Sequence, residues 1–393
     1  MSRKKGLAIT AAVLTAACLT AATARAQDYK IGYITDLSGP LAGSYTPTWQ
    51  GFELYIKALN DRGGVNGHKV AVGIDDDGLR ADRAVAAAKK QVESDSVLGI
   101  FGLSLSSTQG PVIAEMQKVG VPVVSTFSAI LDALPPAKPF YYSTGVMFEV
   151  AGEAIGVLQK QIAPSGKVVG MTFDSVGGRA AILHNKLAVE KQGYGWGEVL
   201  FPVRTADFTP FAQTAAAMQP ATVVGHYGAE QNIGVIAALR AAGYTGPYVV
   251  AAYGASEDTV KQAAAQAGSG DNLYMVSRYA IPTDNAPGMT DLIAAAKKFG
   301  VANPTSMHVT GWVLGMFVEQ ALKECGADCT RESLDRAIQH VKLDTKGLTG
   351  GPIEMSAENH YGTTYWWLYH WEKDKLIGVG GWLKQTGLEF PVK

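Results

Sequence analysis

Short apolar segments alternate with amphipathic segments of helical period along most of this chain, and this alternation constrains the fold more than any other feature. Residues 29–35 have the composition of a buried strand. The apolar residues of 48–62 recur near helical spacing and stop at Gly63 and Gly64. The same order of strand and helix continues to residue 126 and resumes from 168 to 267. Two such series predict an α/β protein with two doubly wound parallel sheets.

The remaining predicted elements follow the same pattern until the C-terminal part of the chain. Further strands are predicted at 70–75, 97–101, 121–126, 168–173, 222–225 and 248–252, and further helices at 80–93, 106–118, 179–192, 232–242 and 256–267. Two helices at 304–323 and 331–341 come next, and Gly350-Gly351-Pro352 then breaks the chain. Residues 365–371 and 376–382 predict a closing β-hairpin.

The N-terminus has the three regions of a secretory signal peptide. Residues 3–5 are Arg-Lys-Lys, residues 7–24 are almost entirely apolar, and an A-x-A cleavage motif ends at Ala26. We therefore expect export to the periplasm and cleavage after Ala26. An uncleaved anchor is the alternative, although the apolar run is short for a bilayer span. Lipidation at Cys18 is a second alternative, disfavoured because Thr15 stands where a lipobox prefers leucine.

Composition excludes several classes of protein. The 34 Lys and Arg residues nearly balance the 35 Asp and Glu residues, for a net charge of −1. Removal of residues 1–26 takes away four cations and no anion, which leaves −5. This balance excludes the strongly basic surface of a dedicated nucleic-acid binder. Hydrophobic residues make up 47%, as in a globular protein, and no second run of 18 apolar residues exists, so we expect a soluble mature protein.

Cys325 and Cys329 are the cysteines that remain after cleavage. An exported chain can oxidise its thiols, and the spacing C-G-A-D-C suits a local disulfide across a glycine turn. Two free thiols are the alternative. A metal site is disfavoured because no histidine or further cysteine lies close in sequence.

Five short motifs occur in order behind the predicted signal peptide. They are DLSGPLA at 36–42, NDRGGVNG at 60–67, DDD at 75–77, Gly102 with SST at 106–108, and LRAAGY at 239–244. Together they resemble the leucine/isoleucine/valine-binding protein family, the periplasmic solute receptors of ABC importers. The resemblance covers the whole mature chain.

The resemblance implies a type I periplasmic binding fold, with two doubly wound parallel-sheet lobes joined by a three-segment hinge. The first lobe would be 28–143 plus 277–350, and the second 144–276 plus 351–393. The crossovers would lie near 143–145, 277–278 and 350–352, where glycines tolerate wide backbone rotation. The implied function is capture of a small carboxylate and delivery to a membrane ABC permease, by a monomer with no cofactor, no metal and no nucleic-acid partner.

Ser106 is the principal candidate for ligand contact. The loop 102–107 ends a strand and opens a helix, and the N–H groups of such a helix start suit a carboxylate. Ser106 also occupies the position of the family's carboxylate-binding serine, although a plain helix N-cap is the alternative. The resemblance places the other contacts at Tyr45, Trp49, Ser107, Phe127, Ser128, Ala129, Gly177, Tyr227, Tyr253 and Gly254. Each aromatic residue among them has core packing as its alternative role.

Two departures from the family bear on the ligand. Residues 251–255 lack the acid that pairs the ammonium group of an amino-acid ligand, and a buried ammonium without a counter-charge is costly. Gly177 replaces an aromatic residue and makes the pocket roomier. An aromatic or hydrophobic carboxylate is therefore favoured. A branched-chain or other hydrophobic amino acid stays open, because Asp174, Glu230 or Glu257 could still reach the ligand.

Other functions are less well supported by the sequence. It contains no G-x-S-x-G elbow, no H-E-x-x-H motif and no P-loop, so we expect no enzyme activity. His226 and His308 are the histidines of most interest, and a structural role is favoured for both. Residues 75–77 are expected to be a solvated strand end, with a metal site as the alternative. A sensor that signals to a membrane receptor is a further alternative, since it would use the same closing lobes.

Overall fold

The computed structural model describes residues 28–127, 130, 133, 136–145, 155–156, 159–251 and 254–384. The predicted signal peptide and Cys18 lie outside the described residues, as do Ser128, Ala129 and Tyr253 among the predicted ligand contacts.

The first lobe is built on a five-stranded parallel sheet. Its strands are β1 (Tyr29–Thr35), β2 (Val70–Asp76), β3 (Ile100–Gly102), β4 (Val123–Ser125) and β5 (Tyr141–Ser143), in the order β2-β1-β3-β4-β5. Helices α1 (Ala42–Asp61), α2 (Ala81–Glu93) and α3 (Ser106–Lys118) connect the first four strands. The central strands are buried on both faces, as helices on both sides of a parallel sheet require.

The second lobe repeats this arrangement. Strands β6 (Lys167–Phe173), β7 (Gly195–Phe201), β8 (Thr222–His226), β9 (Tyr248–Ala251) and β10 (Leu273–Ser277) are parallel. They alternate with α4 (Val176–Lys191), α5 (Thr209–Ala217), α6 (Ala229–Ala241) and α7 (Glu257–Ala267). Two parallel sheets with crossover helices confirm the predicted α/β class.

The C-terminal part of the chain contributes elements to both lobes. Helices α8 (Pro287–Phe299), α9 (Ser306–Cys325) and α10 (Arg331–Ile338) are followed by the short antiparallel strands β11 (Lys342–Leu343) and β12 (Ile353–Glu354). The chain then forms the hairpin β13 (Tyr365–Glu372) and β14 (Lys375–Lys384). Strand β13 pairs antiparallel with β10, which gives the second sheet the order β14-β13-β10-β9-β8-β6-β7.

Helix α1 begins at Ala42, six residues before the predicted start. The predicted start at 48 excluded Pro47, which lies inside the observed helix although a proline there removes one backbone hydrogen bond. In the structure the first turn forms ahead of the proline, where the Leu41 carbonyl accepts the N–H groups of Ser44 and Tyr45 at 3.0 and 3.1 Å. Tyr45 therefore lies in the first turn of the helix.

We propose that the chain crosses between the lobes three times. It leaves the first sheet after Ser143 and the second sheet after Ser277, where the N–H of Ala280 donates to the Leu348 carbonyl. The lobe boundaries remain a prediction, but the pairing of β12 with β11 keeps residues beyond 352 with the first lobe. Tyr361 also bridges to Ser143 in parallel. We therefore move the proposed third crossover from 350–352 to residues 361–365.

A disulfide joins Cys325, the last residue of α9, to Cys329 ahead of α10. It closes the turn that starts at Gly326, which has a positive φ of 84°. Within residues 28–384, as far as they are described, no helix combines the length and the apolar character needed to cross a membrane.

Candidate ligand-binding site between the lobes

The two lobes contact each other where α1 and α6 begin. The N–H of Gly43 donates to Oε1 of Glu230 at 3.0 Å, and the N–H of Ala229 donates to Oγ of Ser44 at 3.1 Å. The Gln231 side chain donates to the Pro40 carbonyl at 3.1 Å. Each bond joins the first sheet's side of the molecule to the second, so the described structure has its lobes closed together.

A second contact between the lobes joins α7 to α9. Oγ of Ser306 donates to Oε2 of Glu257 at 2.7 Å and to the Ala255 carbonyl at 3.1 Å. The N–H of Ser306 also donates to the Glu257 carboxylate, at 3.1 Å to the nearer oxygen. Burial raises the pKa of Glu257 to about 7, while the bonds from Ser306 oppose that rise. The contact therefore contains a carboxyl group that titrates near neutral pH.

Ser106 lies buried at the start of α3, close to the contact between the lobes. Leu105, in extended conformation, is the residue before the helix, and its carbonyl accepts the N–H groups of Thr108 and Gln109 at 2.8 and 3.0 Å. Ser106 is thus the first helical residue and not the N-cap. The N–H groups of Ser106 and Ser107 have no carbonyl one turn earlier within the helix to bond to. Ser106 is only 5% exposed, whereas the side chain of Ser107 faces solvent.

Phe127 is held beside this helix start. Nε2 of Gln109 donates to the carbonyls of both Ser104 and Phe127 at 2.6 Å, which ties the loop before α3 to the end of β4. The ring of Tyr45 meets the ring of Phe127 edge to face, with centroids 6.2 Å apart. Tyr45, Leu105 and Phe127 belong to one apolar cluster with the core of the second lobe. The predicted contacts Tyr45, Ser106 and Phe127 therefore lie together.

Tyr227 and Gly254 follow adjacent strands of the second sheet and touch. A Cβ atom at Gly254 would lie 2.3 Å from the Tyr227 carbonyl, so this approach requires glycine. The Tyr227 hydroxyl and the Tyr248 hydroxyl are 2.7 Å apart. The Tyr227 ring packs against Phe173 and Phe201, so Tyr227 is largely part of the second lobe's core.

Gly177 is buried in the first turn of α4, which Ser175 caps by accepting the N–H of Gly178 at 3.1 Å. Helices α3 and α4 contact each other across the lobes. Gly177 thus lies on the helix that contacts α3, the helix that Ser106 begins.

Trp49 does not join these residues. Its ring packs edge to face on Tyr33, with centroids 4.8 Å apart, and against Phe52 at 6.0 Å. Tyr33 and Phe52 belong to the core beneath α1, and the partly buried Trp49 packs against that core. Trp49 lies one helical turn after Tyr45, and this turn points its ring to the core, so we leave Trp49 out of the proposed site.

The carboxylates that could have paired an ammonium group have partners elsewhere. Glu230 and Glu257 bridge the lobes as described above, and Asp174 forms an ion pair with Arg179 at 2.6 Å on the surface. All three have these partners, so we do not assign them to the ligand.

Residues 75–77 are not a uniformly solvated strand end, because Asp77 is fully buried. Carboxylate oxygens of Asp36, Asp76 and Asp77 lie within 4.8 Å of one another. Oδ1 of Asp77 accepts the N–H of Leu79, and Asp36 accepts the N–H of Leu41, at 2.8 and 2.9 Å. Burial raises the pKa of Asp77 to about 6. These bonds hold the turns after β1 and β2.

His308 also has a structural role. Its Nδ1 accepts the N–H of Thr305 at 3.0 Å and completes a capping box at the start of α9. Burial lowers the pKa of His308 to about 4.

A cavity of about 570 Å³ lies on the outer side of the first lobe between α1, α8 and α9. Its charged groups are paired with one another. Arg62 and Lys323 both contact Glu319, at 2.9 and 2.7 Å, and Lys346 contacts Asp291 at 3.1 Å. The Tyr55 hydroxyl also donates to Glu319. Since its charges are already neutralised, this cavity is a weaker candidate than the contact between the lobes.

A profile of the periplasmic binding protein family matches residues 28–375. This chain belongs to that family. Among curated relatives, a Leu/Ile/Val-binding protein homolog 7 of Brucella abortus is 30% identical over 155 residues, which are 38% of this chain and 38% of the relative. The match therefore spans well under half of either protein.

Solved structures extend the similarity over almost the whole fold. A solute-binding protein of an R. palustris ABC transporter, in complex with benzoate, is 18% identical with a TM-score of 0.79, and the match covers 90% of this chain and 96% of that one. A branched-chain amino-acid ABC transporter protein of Thermus thermophilus with bound valine is 16% identical with a TM-score of 0.80, covering 91% and 97%. This periplasmic binding protein shares their fold.

Sequence reasoning missed one buried residue at this site. Arg278 is only 8% exposed, and its guanidinium carbon lies 4.7 Å from the centroid of the Phe127 ring. In the sequence, Arg278 stands out only as part of a crossover. A single arginine after a strand has no spacing that distinguishes a ligand contact from a surface cation, so no pattern could have identified it.

Proposed function

We propose that this protein is an extracytoplasmic solute-binding protein that holds a small organic carboxylate between its two lobes and delivers it to an ABC permease. The observation that carries the proposal is the position of Ser106. A helix start with N–H groups and a buried hydroxyl lies beside two aromatic rings at the contact between the lobes. Helix starts favour negative charge, and buried rings favour an apolar body.

An aromatic or hydrophobic carboxylate is the ligand class that these residues support best. Tyr45 and Phe127 supply apolar surface, and Gly177, buried in the first turn of α4, adds no side chain there. Among the described acids, Glu230 and Glu257 bridge the lobes, so we assign neither to the ammonium group of an amino acid. The benzoate and valine in similar structures belong to those proteins, and they illustrate that one fold serves both ligand classes.

A branched-chain or other hydrophobic amino acid is the second candidate, favoured by the partial match to Leu/Ile/Val-binding homologues. Sensing for a membrane receptor in place of transport is compatible with the same closed lobes. Uptake of the ligand by a strain that lacks the gene separates transport from sensing.

A thermal-shift panel of amino acids, aromatic acids, fatty acids and amides tests the proposed ligand class. A ligand present at 100 times its Kd stabilises the folded protein by about 2.7 kcal/mol. We expect a clear rise in melting temperature with aromatic or aliphatic carboxylates and a smaller one with amino acids. Stabilisation by amides or amino acids alone would contradict the proposal.

A further inference from the structure

Three aspartates meet where two neighbouring strands of the first sheet end. Asp36 directly follows β1, Asp76 is the last residue of β2, and Asp77 comes next, while β1 and β2 pair in parallel. One carboxylate oxygen of each aspartate lies within 4.8 Å of the others. Asp36 and Asp77 are fully buried, whereas Asp76 is exposed. The cluster therefore reaches the solvent through Asp76.

No side chain in the described part of the chain forms an ion pair with any of the three carboxylates. Arg83 comes near without pairing, since its Nη1 lies 3.3 Å from the position of a Cβ atom at Gly78. The carboxylates instead accept N–H groups from the turns after the two strands, namely those of Leu37, Gly39, Leu41, Gly78 and Leu79. These bonds orient the carboxylates, but three like charges at this spacing still repel one another.

Two buried oxygens at the cluster have no hydrogen-bond partner in the described part of the chain. One is Oδ2 of Asp77, because only Oδ1 accepts the N–H of Leu79. The other is Oγ of Ser104, which follows β3, the strand on the other side of β1. The fully buried Ser104 hydroxyl faces Asp77 and opposes the rise in the pKa of that carboxyl. Buried polar atoms are almost always paired, so these two oxygens point to a partner that both can bind.

We propose that the three aspartates and Ser104 bind one calcium ion. All four residues offer oxygen, the donor that Ca²⁺ and Mg²⁺ prefer. Ca²⁺ binds oxygen at about 2.4 Å, so two oxygens on opposite sides of the ion are about 4.8 Å apart, whereas the limit for Mg²⁺ is about 4.2 Å. The spread of the carboxylate oxygens, up to 4.8 Å, therefore suits calcium. The N–H bonds leave room for the ion, since each carboxylate oxygen has two lone pairs.

A cation at this place would brace the turns that meet the second lobe. Leu41 and Leu79, whose N–H groups are accepted by Asp36 and Asp77, pack with the apolar cluster of the second lobe. The ion would join these two turns to the loop that carries Ser104. Calcium would thus stabilise one side of the contact between the lobes.

Calorimetric titration of the full protein with CaCl₂ and with MgCl₂, after removal of metals with EDTA, tests the site. We expect one Ca²⁺ per chain with a Kd of about 0.1–1 mM, the range of weak extracellular calcium sites. Binding of Mg²⁺ should be at least fivefold weaker. Addition of about 10 mM Ca²⁺ should raise the melting temperature by about 2 °C or more.

Substitutions in the run of three aspartates distinguish this site from other calcium contacts. Asp77→Asn removes a charge and keeps an oxygen for the N–H of Leu79, and it should weaken Ca²⁺ binding at least tenfold. Asp76→Asn should have a similar effect, and its exposed position provides a second variant if Asp77→Asn does not fold. Asp75→Asn is the matched control, because Asp75 already pairs with Lys90 at 3.1 Å, and its affinity should stay within twofold of the wild type.

Ser104→Ala tests the hydroxyl and should weaken Ca²⁺ binding at least threefold. A wild type that binds no Ca²⁺, or that binds Mg²⁺ more tightly than Ca²⁺, would overturn the calcium site. Equal affinities in the wild type, Asp76→Asn and Asp77→Asn would do the same, because the ion would then lie elsewhere. None of these measurements involves the carboxylate ligand, so a negative result would leave the proposed function intact.

Discussion

Ser106 and Ser107 are adjacent in the first turn of α3 but differ in burial, and this difference supports a direct test of the site. Ser106 is buried beside Leu105 and Phe127, whereas Ser107 is exposed. We predict that Ser106→Ala weakens carboxylate binding at least several-fold, because a hydrogen bond to a charged group contributes about 1.5–3 kcal/mol. Titration calorimetry measures the affinity, and an unchanged melting temperature shows that the fold is intact.

Ser107→Ala is the matched control for that experiment. It removes a hydroxyl from the same turn but keeps both backbone N–H groups, so its affinity should stay within about twofold of the wild type. Equal losses in both variants would show that the turn and not the buried hydroxyl is responsible.

At the scale of single residues, the resemblance placed Tyr45, Trp49 and Phe127 in one proposed site and could not separate Tyr45 from Trp49. Tyr45 lay outside the predicted helix, and in the observed helix the two aromatics are one turn apart, where the helical period places them near one face. Their separation depends on what lies beneath each turn: Phe127 and the second lobe near Tyr45, and Tyr33 near Trp49. The contact of Arg278 could not be predicted from local sequence, since the Phe127 ring that it covers lies about 150 residues away in sequence.

The packing of α1 on α9 supports the first lobe at the scale of elements. The two helices approach so closely that a Cβ atom at Gly311 would lie 1.8 Å from the Thr48 carbonyl, and one at Gly51 would lie 2.0 Å from the His308 carbonyl. Backbone atoms cannot move aside as the end of a side chain can. These glycines therefore set the distance between the helices.

We predict that Gly311→Ala destabilises the protein by about 1–3 kcal/mol, the usual cost of overpacking. Gly73→Ala is the control, because a Cβ atom there meets nothing within 4 Å and Gly73 has no positive φ. Urea unfolding of both variants measures the effect. A Gly311→Ala protein as stable as Gly73→Ala would mean that the helices separate without cost.

The elements that the sequence predicted well are the long ones with a clear period. The first strand was predicted at 29–35 and occurs at Tyr29–Thr35. Strand β5 has only three residues, and β7 begins with Gly195 and contains Gly197, so neither shows the apolar alternation of a strand. Both are placed by pairing with β4 and β6, an interaction that local sequence does not encode.

The contact between Glu257 and Ser306 should make the stability of the whole molecule depend on pH. Burial raises the pKa of Glu257 to about 7, above the value of about 4.3 for an unfolded chain. The folded protein therefore holds this proton more tightly than the unfolded chain does. Its contribution to stability falls as the pH rises from about 4.5 to about 7.

Glu257→Gln removes this titration while keeping the shape of the side chain. We predict that the melting temperature of the variant, relative to the wild type, is higher at pH 8 than at pH 5 by about 2 °C or more. Calorimetric scans at the two pH values give the comparison. The same difference at both pH values would show that Glu257 stays ionised throughout the range.

The two-lobed architecture could be predicted from the sequence, because it follows from the repeated order of strand and helix. Closure of the lobes was implied by the resemblance, but the contacts that join them could not be predicted. Closure depends on hydrogen bonds such as Gly43 to Glu230 and Ser306 to Glu257, which join residues 187 and 49 positions apart. The position that we now propose for the third crossover also depends on pairing, since glycines at 350–351 suggest a hinge while β12 pairs with β11.

A crystal structure of the protein with 3-phenylpropanoate, or with the carboxylate that stabilises it most, tests the central claim most directly. We predict that the ligand lies between the closed lobes with a carboxylate oxygen about 3 Å from the N–H or hydroxyl of Ser106. A ligand bound in the outer cavity beside Arg62, or a carboxylate that points away from the start of α3, would contradict the account.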